Sequence, residues 1–154
     1  MANKNITNNK QIIYPKESYK IIGAAFRTYN NLGYGLRENY YQKAFGQELE
    51  KELLKYEREK SIDIQYEDDK IGEYRLDFII ENKIVVELKA SYSLGYPYIK
   101  QVMSYLKAGN YRLAIIIYFT KNGVKYRRVL NSLFGSNSYI RENSLISEHS
   151  YGKN

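Results

Sequence analysis

Apolar positions recur at helical spacing from about Lys16 to Asn31, where Ile21, Ile22, Ala25 and Tyr29 mark one side, and this predicts a helix. Asn31-Leu32-Gly33-Tyr34-Gly35 ends it, because glycine accepts the left-handed conformation that closes a helix. A second helical pattern runs from about Arg37 to Lys55, with Tyr41, Ala44, Phe45, Glu48, Leu49 and Leu53 alternating between buried and wet faces. From Ser61 the period becomes two: Ile62, Ile64 and Tyr66 alternate with Asp63, Gln65 and Glu67, as in a half-exposed strand. After a turn at Asp68-Asp69-Lys70, Gly72 to Ile80 reads as a second strand. Beyond Glu81-Asn82-Lys83, the β-branched run Ile84-Val85-Val86 opens a third, ending at Ala90. A helix is predicted from about Pro97 to Ala108, with Gly109-Asn110 closing it. The apolar strand Leu113 to Phe119 and a hairpin turn at Asn122-Gly123 lead into a basic strand from Val124 to Leu130. The order α, α, βββ, α, ββ predicts an α/β fold: one mixed sheet with helices against it.

A chain of 154 residues has room for one core. The periodic part, residues 16–135, is read as that domain, with flexible segments expected over 1–15 and 136–154. Lys and Arg number 24 against 17 acids, a net charge of +7 that favours polyanionic partners such as nucleic acid. With no cysteine, disulfides, Cys-ligated zinc, iron–sulfur clusters and cysteine nucleophiles are excluded. The single histidine, His149, makes multi-His metal sites and a Ser-His-Asp triad improbable. No apolar run is long enough to span a bilayer and no signal peptide is visible, so a cytoplasmic protein is expected. Any chemistry must use carboxylates, amines, amides and hydroxyls.

Three such groups stand out. Glu87 and Lys89 lie two apart in the third strand and so share a face, with Leu88 on the other. A short turn near Glu81-Asn82 can bring Asp77 of the second strand beside Glu87. Two carboxylates about 4 Å apart repel by roughly 4 kcal/mol at an effective dielectric of 20. A hard divalent cation, Mg²⁺ or Mn²⁺, removes that repulsion and can activate water against a phosphodiester. A neighbouring lysine can orient the water or neutralise charge on the phosphorane. A Glu-x-Lys pair on a strand is more often an exposed, mixed-charge face; here the flanking Ile84, Val85, Val86 and Ala90 indicate an interior strand, where unpaired charge is rare.

Asp77, the Glu87-x-Lys89 pair and the following Gln101-x-x-x-Tyr105 together resemble the core of the PD-(D/E)XK nuclease superfamily, in particular its RecB-like and Cas4-like branch. Gly35-Leu36-Arg37-Glu38-Asn39-Tyr40-Tyr41 is similar to the signature of the GxxExxY proteins grouped with that superfamily. The resemblance spans roughly residues 18 to 130. It implies a restriction-endonuclease-like fold with Asp77, Glu87 and Glu38 as metal ligands, Lys89 as the catalytic lysine, and Gln101 and Tyr105 positioning the substrate or that lysine. Two departures stand out: no cysteines hold an iron–sulfur cluster, and Leu76 replaces the proline before the aspartate.

The expectation is a Mg²⁺- or Mn²⁺-dependent nuclease acting on DNA more readily than RNA, alone, as a homodimer or within a larger nucleic-acid-processing complex. Arg75, Lys125, Arg127 and Arg128 are candidate nucleic-acid contacts, although basic residues on an edge strand also protect it against aggregation. The rival readings are a non-catalytic module that binds nucleic acid or protein on the same fold, and an RNA-directed phosphodiesterase. Glu67-Asp68-Asp69 is read as a solvated turn, and His149 carries no assignment.

Overall fold

The computed structural model describes residues 11–90 and 96–134. The C-terminal segment 136–154, with His149, lies outside the described residues, as do the first ten of the N-terminal fifteen. Two helices, α1 (Pro15–Leu32) and α2 (Glu38–Lys51), precede three strands, β1 (Tyr56–Tyr66), β2 (Asp69–Ile80) and β3 (Ile84–Lys89). Then come α3 (Tyr96–Gly109), β4 (Leu113–Thr120) and β5 (Gly123–Leu130). The five strands form one mixed sheet in the order β1-β2-β3-β4-β5. Neighbours are antiparallel except β3 and β4, which run parallel across α3. Among the described residues, no helix is long and apolar enough to cross a membrane.

The sheet separates two cores. On one face, Ile21, Ala24 and Ala25 of α1 and Tyr41, Phe45 and Leu49 of α2 pack on Phe78, Ile80, Val86, Leu88, Ile115 and Ile117. On the other, Val102, Tyr105 and Leu106 of α3 cover Leu76, Ile79, Val85, Ala114 and Ile116. All eight residues of β4 are buried, because a central strand with a helical layer on each face cannot alternate between core and water. Between the first two helices, buried Glu48 takes Arg27 at 2.8 Å and Lys51 at 2.8 Å, and Arg27 also holds Glu52 at 2.9 Å.

Most helix ends fall where the pattern predicts. Gly33, at φ 73°, donates to the Tyr29 carbonyl, and Asn110, at φ 53°, closes α3 with the Tyr111 N–H on the Leu106 carbonyl. The second helix is the exception. It ends at Lys51 rather than Lys55, and the next strand begins at Tyr56 rather than Ser61. The stop is a Schellman motif, with Leu54 N–H on the Leu49 carbonyl and Leu53 N–H on that of Glu50. Its left-handed residue is Leu53, at φ 58° and 88% exposed, where a glycine would have announced the end. The start of β1 is masked by Glu57-Arg58-Glu59-Lys60, four charged residues suited to an exposed edge strand.

One distortion shapes the strands around Asp77. Tyr56, Phe78 and Ile80 pack with the α1–α2 core, whereas Ile62, Tyr74 and Leu76 pack with α3. All six are even-numbered positions on two paired strands, so a regular ribbon would keep them on one face. Both strands therefore change face between Leu76 and Phe78, where no partner pairs with Asp77. Glu59 stands opposite with φ 52°, in the left-handed region.

Candidate active site

The β2–β3 ladder runs from Ile80↔Ile84 to Phe78↔Val86 and stops. Beyond it, side chains replace the next rung. Asp77 N–H donates to Glu87 Oε1 at 3.1 Å, and Leu88 N–H donates to Asp77 Oδ2 at 2.9 Å. Each carboxylate thus satisfies a backbone donor that the splayed strands would leave open, and each keeps its second oxygen, Asp77 Oδ1 and Glu87 Oε2, outside these bonds. The N–H and C=O of one strand residue point to the same side, so the Leu88 carbonyl faces the gap that holds Asp77. Sequence reasoning missed that oxygen, since a leucine offers no polar side chain to notice.

Glu87 is only 3% exposed. Burial, reinforced by the Asp77 charge, pushes its carboxyl up to about 8, and the Asp77 N–H and Lys89 only partly oppose that. Neither acid is ion-paired among the described residues. Lys89 extends along the same face, and its ammonium lies over the Tyr98 ring, 4.8 Å from the centroid. Tyr98 in turn meets Tyr118 of β4 at 6.3 Å.

Glu38 opens α2 and reaches the same end of β3, where its Oε2 accepts Ala90 N–H at 3.5 Å. Its carboxyl is raised first by burial and then by Asp77, with Lys89 and the Ala90 N–H opposing. On α3, Tyr98, Gln101 and Tyr105 form an i, i+3, i+7 stripe. Tyr105 is buried, stands 4.7 Å from the Tyr74 ring, and takes a hydrogen bond from Gln101. Burial first, then Glu87 and Asp77, push its phenol up to about 12, so it remains a neutral hydroxyl facing two acids. Tyr98 was absent from the sequence reading, although its place three residues before Gln101 could have revealed it.

The six residues expected from the sequence, Glu38, Asp77, Glu87, Lys89, Gln101 and Tyr105, therefore converge on one end of β3 from four elements, α2, β2, β3 and α3. The basic candidates divide. Register places Glu87, Ile116 and Arg127 in one cross-sheet row and Lys89, Tyr118 and Lys125 in the next, both on the α3 face. Arg128 lies on the opposite face, where its guanidinium donates to the Ile13 carbonyl, and it is engaged within the fold. Arg75 is exposed on β2, opposite Ser61 and two residues from Asp77. A cavity of about 370 Å³ lies at the opposite end of the strands, lined by Tyr14, Lys83, Arg112 and Phe134, and includes none of these acids.

The donor set is all oxygen, which suits a hard divalent cation better than zinc or copper. Among the described residues, no three acids, histidines or cysteines are close enough to enclose a metal. The fit is thus to a pair, Asp77 and Glu87, with a carbonyl beside them and Glu38 further out.

A mixed sheet flanked by helices, with two acids and a lysine gathered where β2 and β3 diverge, is an α/β fold with a polar site at one end of its central strands. The PD-(D/E)XK nuclease superfamily model matches residues 15–129, and the chain belongs to that superfamily. Its architecture is the restriction-endonuclease-like one. No curated protein matches the chain. Among solved structures, "Crystal structure of SSO0001" is similar at 19% identity and a TM-score of 0.48, covering 89% of this chain and 69% of that one.

Proposed function

We propose that this chain is a metal-dependent nuclease that hydrolyses phosphodiester bonds, in DNA more readily than in RNA. The observation that carries the reading is the end of the β2–β3 ladder. There two acids, neither ion-paired among the described residues, sit side by side, one deeply buried, with a lysine ammonium on the same face. A fold does not keep that arrangement for stability, because burying like charges without a cation costs free energy.

Asp77 and Glu87 would hold Mg²⁺ or Mn²⁺, together with the Leu88 carbonyl. Such an ion supplies Lewis acidity toward a phosphoryl oxygen and lowers the pKa of water. Lys89, steadied over Tyr98, places its ammonium where charge accumulates as the phosphorus becomes five-coordinate. Glu38 completes the acidic wall and ties α2 to the end of β3. Tyr105 keeps its proton and offers a hydroxyl to a phosphate oxygen or to Lys89, with Gln101 fixing its direction. Lys125 and Arg127 extend positive charge outward from the site, and Arg75 flanks it on β2, giving affinity that salt weakens.

The finer kinship with GxxExxY proteins and the RecB-like branch is supported by how the signature is used. Glu38 reaches the site, while the Tyr41 hydroxyl donates to the Gly33 carbonyl and accepts the Leu36 N–H, holding the preceding loop. The test is cleavage of labelled single-stranded DNA, duplex DNA and RNA with Mn²⁺, Mg²⁺ or EDTA, beside Lys89→Ala. Metal-dependent cutting lost in the variant supports an enzyme and identifies its substrate. Salt-sensitive binding with no cutting would replace it with a binding module.

A further inference from the structure

The loop from Gly33 to Arg37 and the first turns of α2 carry a surface that the catalytic reading leaves unused. Leu36 is 37% exposed and Tyr40 50% exposed. Arg37 and Lys43 are exposed and, among the described residues, form no ion pair, while the Tyr40 hydroxyl has no partner. Arg37, the extended residue that caps α2, is followed by Tyr40 and Lys43 at i+3 and i+6, so the ring stands between two exposed cations on an arc of roughly 120° around the start of the helix. Glu38 follows Arg37 directly, but helical rotation turns Tyr40 and Lys43 to a different side of α2 from the Glu38 side chain that reaches the acids. The loop is held in shape: Gly33 and Gly35 adopt φ 73° and 98°, and Tyr41 clamps it from below through Gly33 and Leu36. The buried Tyr41 ring is itself stacked on Phe119, 4.4 Å between centroids.

Exposed aromatic rings interleaved with free cations match one kind of polyanion, a strand whose bases are unpaired. A ring stacks on a base face and flanking cations meet the phosphates, whereas a duplex hides its base faces inside the helix. A protein partner would be satisfied by the apolar atoms but would leave both cations to find acids. We propose that this surface binds single-stranded nucleic acid, with Tyr40 stacking on a base and Arg37 and Lys43 holding phosphates. The binding stands apart from cleavage and does not rest on the nuclease reading.

The experiment measures fluorescence anisotropy of a labelled 20-nucleotide single strand and of its duplex with the full chain in EDTA, where no cutting occurs. Tyr40→Ala should weaken single-strand binding on the order of tenfold and leave duplex binding within about twofold, while Tyr40→Phe restores it. Arg37→Ala with Lys43→Ala should flatten the salt dependence of single-strand affinity by a slope of about 1.4. Unchanged single-strand affinity in Tyr40→Ala, no single-strand binding by the wild type, or equal losses on single strand and duplex would each overturn the proposal. A parallel Mn²⁺ cleavage assay separates the two readings. Wild-type cutting with Tyr40→Ala binding intact removes this inference alone, and absent cutting with the Tyr40 effect present removes the nuclease alone.

Discussion

Two clusters of half-buried charge lie on different sides of this small protein, and they are built on opposite terms. Between α1 and α2, buried Glu48 accepts from both Arg27 and Lys51. Those bonds, Lys51 foremost and then Arg27, hold its carboxyl below the usual carboxylate range. At the end of β3, Glu87 is at least as buried but has no ion pair among the described residues and faces another acid, so burial first and then the Asp77 charge push its carboxyl up to about 8. The nearest cation, Lys89, rests on an aromatic ring instead of pairing with either carboxylate. The first cluster is complete in itself. The second has no ion pair among the described residues, which is the arrangement the proposed metal would complete.

The comparison predicts a double dissociation. The largest effect should be on cleavage: Lys89→Ala or Glu87→Gln lowers the rate by about a hundredfold or more, while Glu48→Gln leaves the rate of the folded protein unchanged. Gel assays with Mn²⁺ at a temperature where all variants are folded would check this, and comparable losses in Glu48→Gln would erase the distinction. On stability the order reverses. Glu48→Gln should cost about 2 kcal/mol, the worth of hydrogen bonds to charged groups. Because folding lowers the Glu48 pKa, its stabilisation is present above the unfolded carboxylate value and is lost as pH falls through the lower folded one. Denaturant titrations should therefore show the wild type and Glu48→Gln converging below about pH 4.

Glu87 has the opposite sign. Its folded pKa lies above the unfolded value, so the wild type loses stability as pH rises from the ordinary carboxylate range to about 8, and the penalty is complete above that. In EDTA, Glu87→Gln should melt higher than wild type at pH 9 and no higher at pH 4. Mn²⁺ at pH 8 should raise the wild-type midpoint and leave that of Glu87→Gln in place. A wild-type melting temperature that is flat from pH 5 to 9 would mean that Glu87 imposes no buried-charge penalty on the fold.

Smaller effects sharpen the picture. Lys125→Ala with Arg127→Ala should reduce the salt slope of duplex binding by about 1.8, without changing which strand is preferred. Leu53→Gly should stabilise by about 1 kcal/mol, since glycine adopts the left-handed closing position of α2 without the penalty a leucine bears. Calorimetry showing a lower midpoint would contradict the strain assigned to Leu53.

Where sequence and structure agree, local chemistry decides. Gly33 and Asn110 are residues that accept left-handed backbone, and both end helices where the pattern says they should. The run from Ile84 to Leu88 could be recognised as interior because every residue in it is apolar except Glu87. Where they differ, the signal was absent or concealed. Leu53 gives no sign that a helix ends, and the charged residues of β1 hide a strand whose Arg58 lies over Phe78 and bonds Gln42. The Leu88 carbonyl and the Tyr98 ring enter the site through geometry, since neither residue type announces a role.

By itself, the sequence determined the element order, the alternation that puts Glu87 and Lys89 on one face, and the helical spacing that aligns Gln101 with Tyr105. Each of these depends only on distances along the chain, through periods of two and 3.6. Tertiary structure alone decided that β2 and β3 part at Asp77, that the two carboxylates complete each other's missing rung, and that Lys89 rests on Tyr98 and not on an acid. Those depend on where separate elements meet, and on a dry core that makes an unpaired carboxylate costly enough to matter.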